Sequence, residues 1–415
     1  MISLDKQNVK EIDFFDYLFD RQALLHYLNN TSKDIEIIAL LFELEDLDRW
    51  FSIYAPNIAC KTGEEILAVI NGILPPNARF FQISRDTYSI MFEDIKIDKV
   101  IEFAHILRTF IVERKFYNNL SGFDITPCIG ITKGNVDFVI PKAFSALKYA
   151  KKFLSKVYFL DIDDKTFEQQ QKEEIRLNIL VKNAIYDGRI VPFYQPIYNN
   201  KLNKITKYEC LSRLIDDDKV LYPYDFFNIA RQMGFMRSIT YSVINNSFKV
   251  FKNNDYEFSI NITEEDIRDT QMIDYLSNRC MKYSINPSRI IIELLEDIEF
   301  GDDDLVVNNI LILKNMGFKI AIDDFGYANS NFGRLIKMQI DYIKIDGRFV
   351  KNIDTDPISY KIVKSIATLA KTIDVKCIAE FVHSKSIQKL VRKLGIEYSQ
   401  GYHIGQASSN LLNKV

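Results

Sequence analysis

Three things are scarce in this 415-residue sequence. Paired cysteine is the first. Cys60, Cys128, Cys210, Cys280 and Cys377 lie far apart, with no CxxC pair. A zinc ribbon or a disulfide scaffold needs close pairs, so these read as reduced core cysteines of a cytoplasmic protein. The second is charge of one sign: 53 Lys and Arg stand against 56 Asp and Glu, a formal net charge of −3. Duplex binders ordinarily carry a basic face or tail, so no nucleic-acid duplex is expected as a partner. The third is any long apolar run. No stretch reaches the ~18 residues of a membrane helix, and the opening MISLDKQNVKEIDFF carries acids and no apolar segment of the signal-peptide kind. A cytoplasmic location without a membrane span is expected, with any membrane sensor on another chain.

What is present suits globular domains: 47% hydrophobic and 26% charged residues, with length for two or three domains. In the first part, Ile37–Phe42 reads as a buried strand and Phe80–Phe92 as a hairpin turning at Ser84-Arg85-Asp86-Thr87. Lys99–Phe116 and Lys142–Phe153 have helical spacing, and Tyr158–Ile162 is a closing strand. Residues 163–177 are polar, rich in Glu and Gln and free of Gly and Pro, which predicts a helical linker. Beyond it, eight short strand candidates alternate with amphipathic segments: Val191–Tyr198, Ile205–Leu211, Tyr256–Ile262, Arg289–Leu294, Lys319–Asp323, Tyr342–Ile345, Lys376–Ala379 and Tyr398–Ile404. That pattern predicts an α/β chain with a C-terminal (β/α)8 TIM-like barrel after a smaller α+β domain; a doubly wound open sheet is the competing arrangement. The expected boundaries are 1–162, 163–177 and 178–415.

Polar residues fall where the strands end. Glu209 sits in KITKYECL, Asn261 follows FSI, Glu293 follows RIII, and Asp323 and Asp324 follow KIAI. Lys344 and Asp346 sit in DYIKID, Glu380 follows KCIA, and Gln400 sits in EYSQGY. In a barrel such ends converge on one mouth, where active sites lie. Singly, an Asp or Asn after a strand is an ordinary cap or turn residue. Together, carboxylates and an amide at one mouth repel unless a cation offsets them. All-oxygen ligands suit Mg²⁺, Mn²⁺ or Ca²⁺, and paired hard cations fit hydrolysis of a phosphate ester. Lys344 is the fixed cation among the acids.

These motifs resemble the EAL family of cyclic di-GMP phosphodiesterases. The residues concerned are Glu209-Cys210-Leu211 with Arg213, Tyr194-Gln195-Pro196-Ile197, Asn261, Glu293-Leu294-Leu295-Glu296, Asp323-Asp324-Phe325-Gly326, Lys344-Ile345-Asp346, Ala379-Glu380 and Gln400-Gly401-Tyr402. The resemblance implies hydrolysis of cyclic di-GMP to linear pGpG with two ions of Mg²⁺ or Mn²⁺. It implies Glu209, Asn261, Glu293 and Asp323 as ligands of the first metal and Asp324 as ligand of the second. Glu380 is implied as general base or second-metal neighbour, and Lys344 as the group steadying the water. Gln195 and Arg213 are implied as substrate contacts, with Gln400 and Asp346 on the site wall and Glu296 as anchor of the following loop. A silent cyclic di-GMP receptor, or a protein-interaction module, is the alternative; the retained ligand set favours the enzyme.

The family's AEGVE reads Ala379-Glu380-Phe381-Val382-His383 here, so His383 replaces its second Glu. Its DDFGTGYSSL loop reads DDFGYANSNF, with Tyr327, Ala328 and Asn329 as replacements. A weaker second cation site and an altered homodimer contact are the expectations. The first part resembles a degenerate GGDEF diguanylate cyclase domain: Asp16-Tyr17-Leu18 and Arg21 echo its opening, and Phe42-Glu43-Leu44-Glu45 stands at its metal-binding strand. Phe51, Arg85 and Thr87 replace residues that bind guanine, admit phosphate and supply the signature acid. A regulatory role and an unknown protein partner are expected of that domain.

Overall fold

The computed structural model describes residues 21–45, 66–68, 70–84, 86–113, 125–295, 304–326 and 337–412. Contacts divide the chain into two compact units, Met1–Glu174 and Ile175–Val415.

The first unit is built on a five-stranded sheet ordered β2-β3-β1-β4-β5. Its strands are β1 (Ile37–Glu45), β2 (Ala78–Gln82), β3 (Thr87–Phe92), β4 (Thr126–Gly134) and β5 (Val157–Leu160). β1 is central because its side chains are apolar in both directions. Ile38, Leu40, Phe42 and Leu44 pack with Val100, Ala104, Leu107 and Ile111 of the helix Ile97–Glu113. Ile37, Ala39 and Leu41 pack with Leu24 and Tyr27, and with Val139, Ala143 and Leu147 of the helix Val139–Ala150. The two-residue period of a strand produces that division. The expected hairpin is present, β2 and β3 pairing from Ala78↔Phe92 to Gln82↔Tyr88. Arg85, Phe51 and Asp16–Leu18 lie outside the described residues.

The expected linker is one part of a 23-residue helix, Asp164–Tyr186. It continues because the apolar period continues: Leu180, Val181 and Ala184 are buried against Ile190, Leu214, Phe226 and Ala230.

The second unit is a closed eight-stranded barrel of β6 (Ile190–Asn199), β7 (Lys204–Asp216), β9 (Glu257–Asn261), β10 (Ile290–Leu295), β11 (Lys319–Phe325), β12 (Tyr342–Ile345), β13 (Lys376–Ala379) and β14 (Tyr398–Gln400). A short strand, β8 (Lys219–Leu221), extends β7 as a hairpin. Strands β7 and β9 to β14 run parallel, whereas β6 is antiparallel to both of its neighbours, β7 and β14. The barrel therefore departs from strict strand–helix alternation at its start. The turn between Asn199 and Lys204 leaves no room for a crossover helix. Asn199 Oδ1 accepts the Lys201 and Leu202 amides, and Asn203 takes a φ of +53°. Near the end opposite the parallel strands' carboxyl termini, Lys207 is buried between the rings of Tyr342 and Tyr398 and pairs with Glu257. Among the described residues no helix is long and apolar enough to cross a membrane.

Candidate active site

The parallel strands bring polar residues to one mouth, most of them at or near the strand ends, with Glu209 inside the longer β7. Register places Glu209 beside Gln195 on β6 and Ser259 on β9, and Glu293 beside Asn261 and Ala321. Lys344, only 1% exposed, is the centre of the arrangement. Its ammonium lies 3.2 Å from Glu209, 3.0 Å from Glu293, 3.0 Å from Asp323 and 2.9 Å from Glu380. Glu209 is held further by Asn261 Nδ2, which donates to Oε1 at 3.0 Å, and by Gln400 Nε2, which donates to Oε2 at 2.6 Å. Gln400 Nε2 also donates to Gln195 Oε1 at 3.2 Å.

These contacts separate the carboxylates electrostatically. Burial pushes Glu209 up, but Lys344 and the Asn261 and Gln400 amides outweigh it and hold the carboxyl below its ordinary value. Burial and then Glu209 push Glu293 well above the usual carboxylate range. Burial, with Asp323 and Glu209, raises Glu380 in spite of Lys344. Burial, Asp323 and Asp346 raise Asp324. Burial alone would lower Lys344; Asp323, Glu209, Glu293 and Glu380 hold it well above its ordinary value.

Among the described residues, two carboxylate groups could hold metal ions: Glu209, Glu293 and Asp323, and then Asp323, Asp324 and Glu380. Within each, ligand atoms lie within 4.8 Å of one another. Among the described residues, Glu293 Oε1 is buried with no hydrogen-bond partner, which fits an oxygen that would ligate a cation. One ammonium cannot offset five carboxylates, so the set fits hard divalent cations.

The sequence profile of the EAL domain matches residues 180–407. The chain belongs to the EAL domain family. It is 31% identical over 255 residues to the probable cyclic di-GMP phosphodiesterase PdeA of Escherichia coli (strain K12), a match covering 60% of this chain and 35% of that protein. It is 25% identical over 409 residues to the cyclic di-GMP phosphodiesterase PdeB of Shewanella oneidensis, covering 94% of this chain and 47% of that one. The chain thus spans less than half the length of these relatives. Its fold is similar to that of the PaMucR phosphodiesterase in its c-di-GMP complex, with a TM-score of 0.54 at 24% identity over 56% of this chain and 97% of that one.

Against the EAL-based expectations, the structure brings Glu209, Asn261, Glu293, Asp323, Lys344, Glu380, Gln195 and Gln400 into one bonded set. Asp324 lies beside Asp323, its amide donating to Asp323 Oδ1 at 3.0 Å, and takes a φ of +55°. Arg213 is buried, donates to the Ser212 carbonyl at 2.7 Å and stacks over Tyr222 at 4.6 Å; among the described residues it pairs with no carboxylate. Asp346 is occupied by Arg348, accepting its backbone amide at Oδ1 and its guanidinium at Oδ2. Glu296 and the altered loop residues Tyr327–Asn329 lie outside the described residues. His383 is exposed, and its Nε2 donates to the Lys351 carbonyl at 3.0 Å. Sequence reasoning passed over Phe381. The signal was in plain view, as a bulky ring in the Gly position of AEGVE.

Proposed function

We propose that the barrel hydrolyses cyclic di-GMP to linear pGpG. The observation that carries this is the Lys344 ammonium bracketed by Glu209, Glu293, Asp323 and Glu380, with Asp324 completing a second acidic group, in a member of the EAL family. Glu209, Asn261, Glu293 and Asp323 would hold a first cation and Asp323 and Asp324 a second, Mg²⁺ or Mn²⁺. Such ions neutralise phosphate charge and make water acidic enough to attack at neutral pH.

The chain's own residues do the rest. Arg213, a buried guanidinium with no carboxylate partner among the described residues, meets a phosphate oxygen. Gln195 and Gln400 line the wall beside Glu209 and face the guanine and the water. Lys344 orients the attacking water, and Glu380 takes its proton as the oxygen bonds to phosphorus. The P–O3′ bond breaks, and the leaving 3′-oxygen is protonated from solvent. Asp346 holds Arg348 at the mouth. A second cation would bind more weakly than the first, because His383 stands where the family has a carboxylate.

The first unit, on this reading, is a degenerate diguanylate cyclase domain with a regulatory role. The support is Lys151 paired with Glu43 at 2.5 Å and Lys156 with Glu45 at 3.3 Å, which neutralise the strand where a cyclase would bind metal. A cytoplasmic location, a homodimer through the barrel and a protein partner for the first unit complete the proposal. The test is incubation of the purified chain with cyclic di-GMP and Mn²⁺, followed by product separation. A pGpG peak that grows with time and disappears with chelator is expected. Binding without any pGpG at any metal concentration would overturn the enzyme reading.

A further inference from the structure

Phe381 stands next to Glu380 with a φ of +50°. Bulky side chains rarely adopt that left-handed region. The family's AEGVE has glycine at this position, which reaches such angles without strain. This chain therefore keeps a strained aromatic where a glycine would fit, and the aromatic is not hidden in a core: Phe381 is 64% exposed. Its ring is laid on Gly347. A Cβ on that glycine would come 2.0 Å from Phe381 Cδ2, so only a residue without a side chain at 347 lets the ring lie there.

The loop that carries it is fixed from both sides. Glu380 N donates to the Ile345 carbonyl at 3.3 Å, Val382 N to the Gln400 carbonyl at 2.9 Å, and His403 N to the Val382 carbonyl at 3.0 Å. A flat apolar ring is thus held open to solvent at the lip of the site, one residue from a carboxylate 2.9 Å from Lys344. Nucleobases are bound on such faces by stacking, and a pre-positioned ring loses little entropy in doing so.

We propose that Phe381 is a stacking platform for one guanine of the substrate, setting affinity without taking part in bond cleavage. This rests on the barrel being a cyclic di-GMP hydrolase. The test compares the full chain with Phe381→Gly and Phe381→Tyr. Turnover of cyclic di-GMP is measured with Mn²⁺, its binding is titrated with Ca²⁺ in place of Mn²⁺, and melting is followed for each variant. Phe381→Gly is expected to raise KM and Kd about tenfold or more, with a smaller change in kcat. Its melting temperature is expected to hold or rise as the strained angle is relieved, and Phe381→Tyr is expected to keep wild-type affinity. A Gly variant with wild-type Kd overturns the proposal, as does a Tyr variant that loses as much affinity as Gly. A lower melting temperature in Phe381→Gly with unchanged Kd would make the ring a cover for Gly347 only and also overturns it. A wild-type chain that neither binds nor cleaves cyclic di-GMP overturns the underlying reading and this proposal with it.

Discussion

A carboxylate beside an ammonium can serve as a metal ligand or as a proton acceptor, and Glu209 and Glu380 are separated by what else touches them. Glu209 receives hydrogen bonds from Asn261, Gln400 and Lys344 and is held low, which keeps it ionised and immobile, as a ligand must be. Glu380 has Lys344 as its one hydrogen-bond donor among the described residues and is pushed up, which suits a group that takes a proton. The two should therefore fail differently. Glu209→Ala is expected to weaken metal binding and turnover together. Glu380→Gln is expected to cut turnover by about 10²–10⁴ while cyclic di-GMP binding in Ca²⁺ is largely kept. Calorimetric titration beside a product assay separates the two outcomes, and substantial turnover by Glu380→Gln would remove it from the base role. His383, with its ring nitrogen on the Lys351 carbonyl, has a structural partner of its own.

At the scale of elements, strands were legible wherever a short β-branched run ended in a polar residue. The expected spans of β12 and β13, Tyr342–Ile345 and Lys376–Ala379, agree with the structure residue for residue. Two features were not legible, each for a physical reason. The reversal of β6 depends on a turn closed by Asn199 and Asn203, which composition alone does not distinguish from the start of a helix. The last strand stops at Gln400, short of the expected Ile404, because Gly401 turns away with a φ of +148°. A Cβ there would lie 2.3 Å from Val382 N. Asn261, Asp323, Lys344, Glu380 and Gln400 were legible because each lies at or beside a strand end, whereas Glu209 and Gln195 stand inside longer strands, β7 and β6. The open face of Phe381 was not legible, since it depends on a backbone angle and on its contact with Gly347. Gly401→Ala is expected to cost about 1–3 kcal/mol from overpacking. It should also reduce turnover, because the displaced loop carries the Gln400 amide that holds Glu209 at 2.6 Å. Thermal melting and the product assay on one preparation check both effects; an Ala variant with unchanged melting would mean that the Val382 loop yields freely.

For the whole molecule, the question is where one unit ends and the other begins, and the helix Asp164–Tyr186 decides it. Contacts divide the chain at Glu174 and Ile175, inside that helix. The residues after the division belong to the barrel by packing: Leu180, Val181 and Ala184 are buried against Ile190, Leu214, Phe226 and Ala230, with Leu177 and Ile185 half-buried on the same cluster. A polar linker followed by a domain start at 178 would leave Leu177, half-buried on that cluster, on the linker side. We propose instead that the functional barrel begins near Ile175. Removing the helix would expose Leu180 and Val181, at about 1.5–3 kcal/mol for each side chain returned to water. A chain beginning at Ile175 is therefore expected to fold and to retain the phosphodiesterase reaction. One beginning at Gly188 is expected to melt well below it or to aggregate, because the Ile190, Leu214 and Phe226 face is left uncovered. Melting curves and turnover of the two fragments test this directly. Equal melting temperatures would assign the whole helix to the first unit and leave the barrel complete without it.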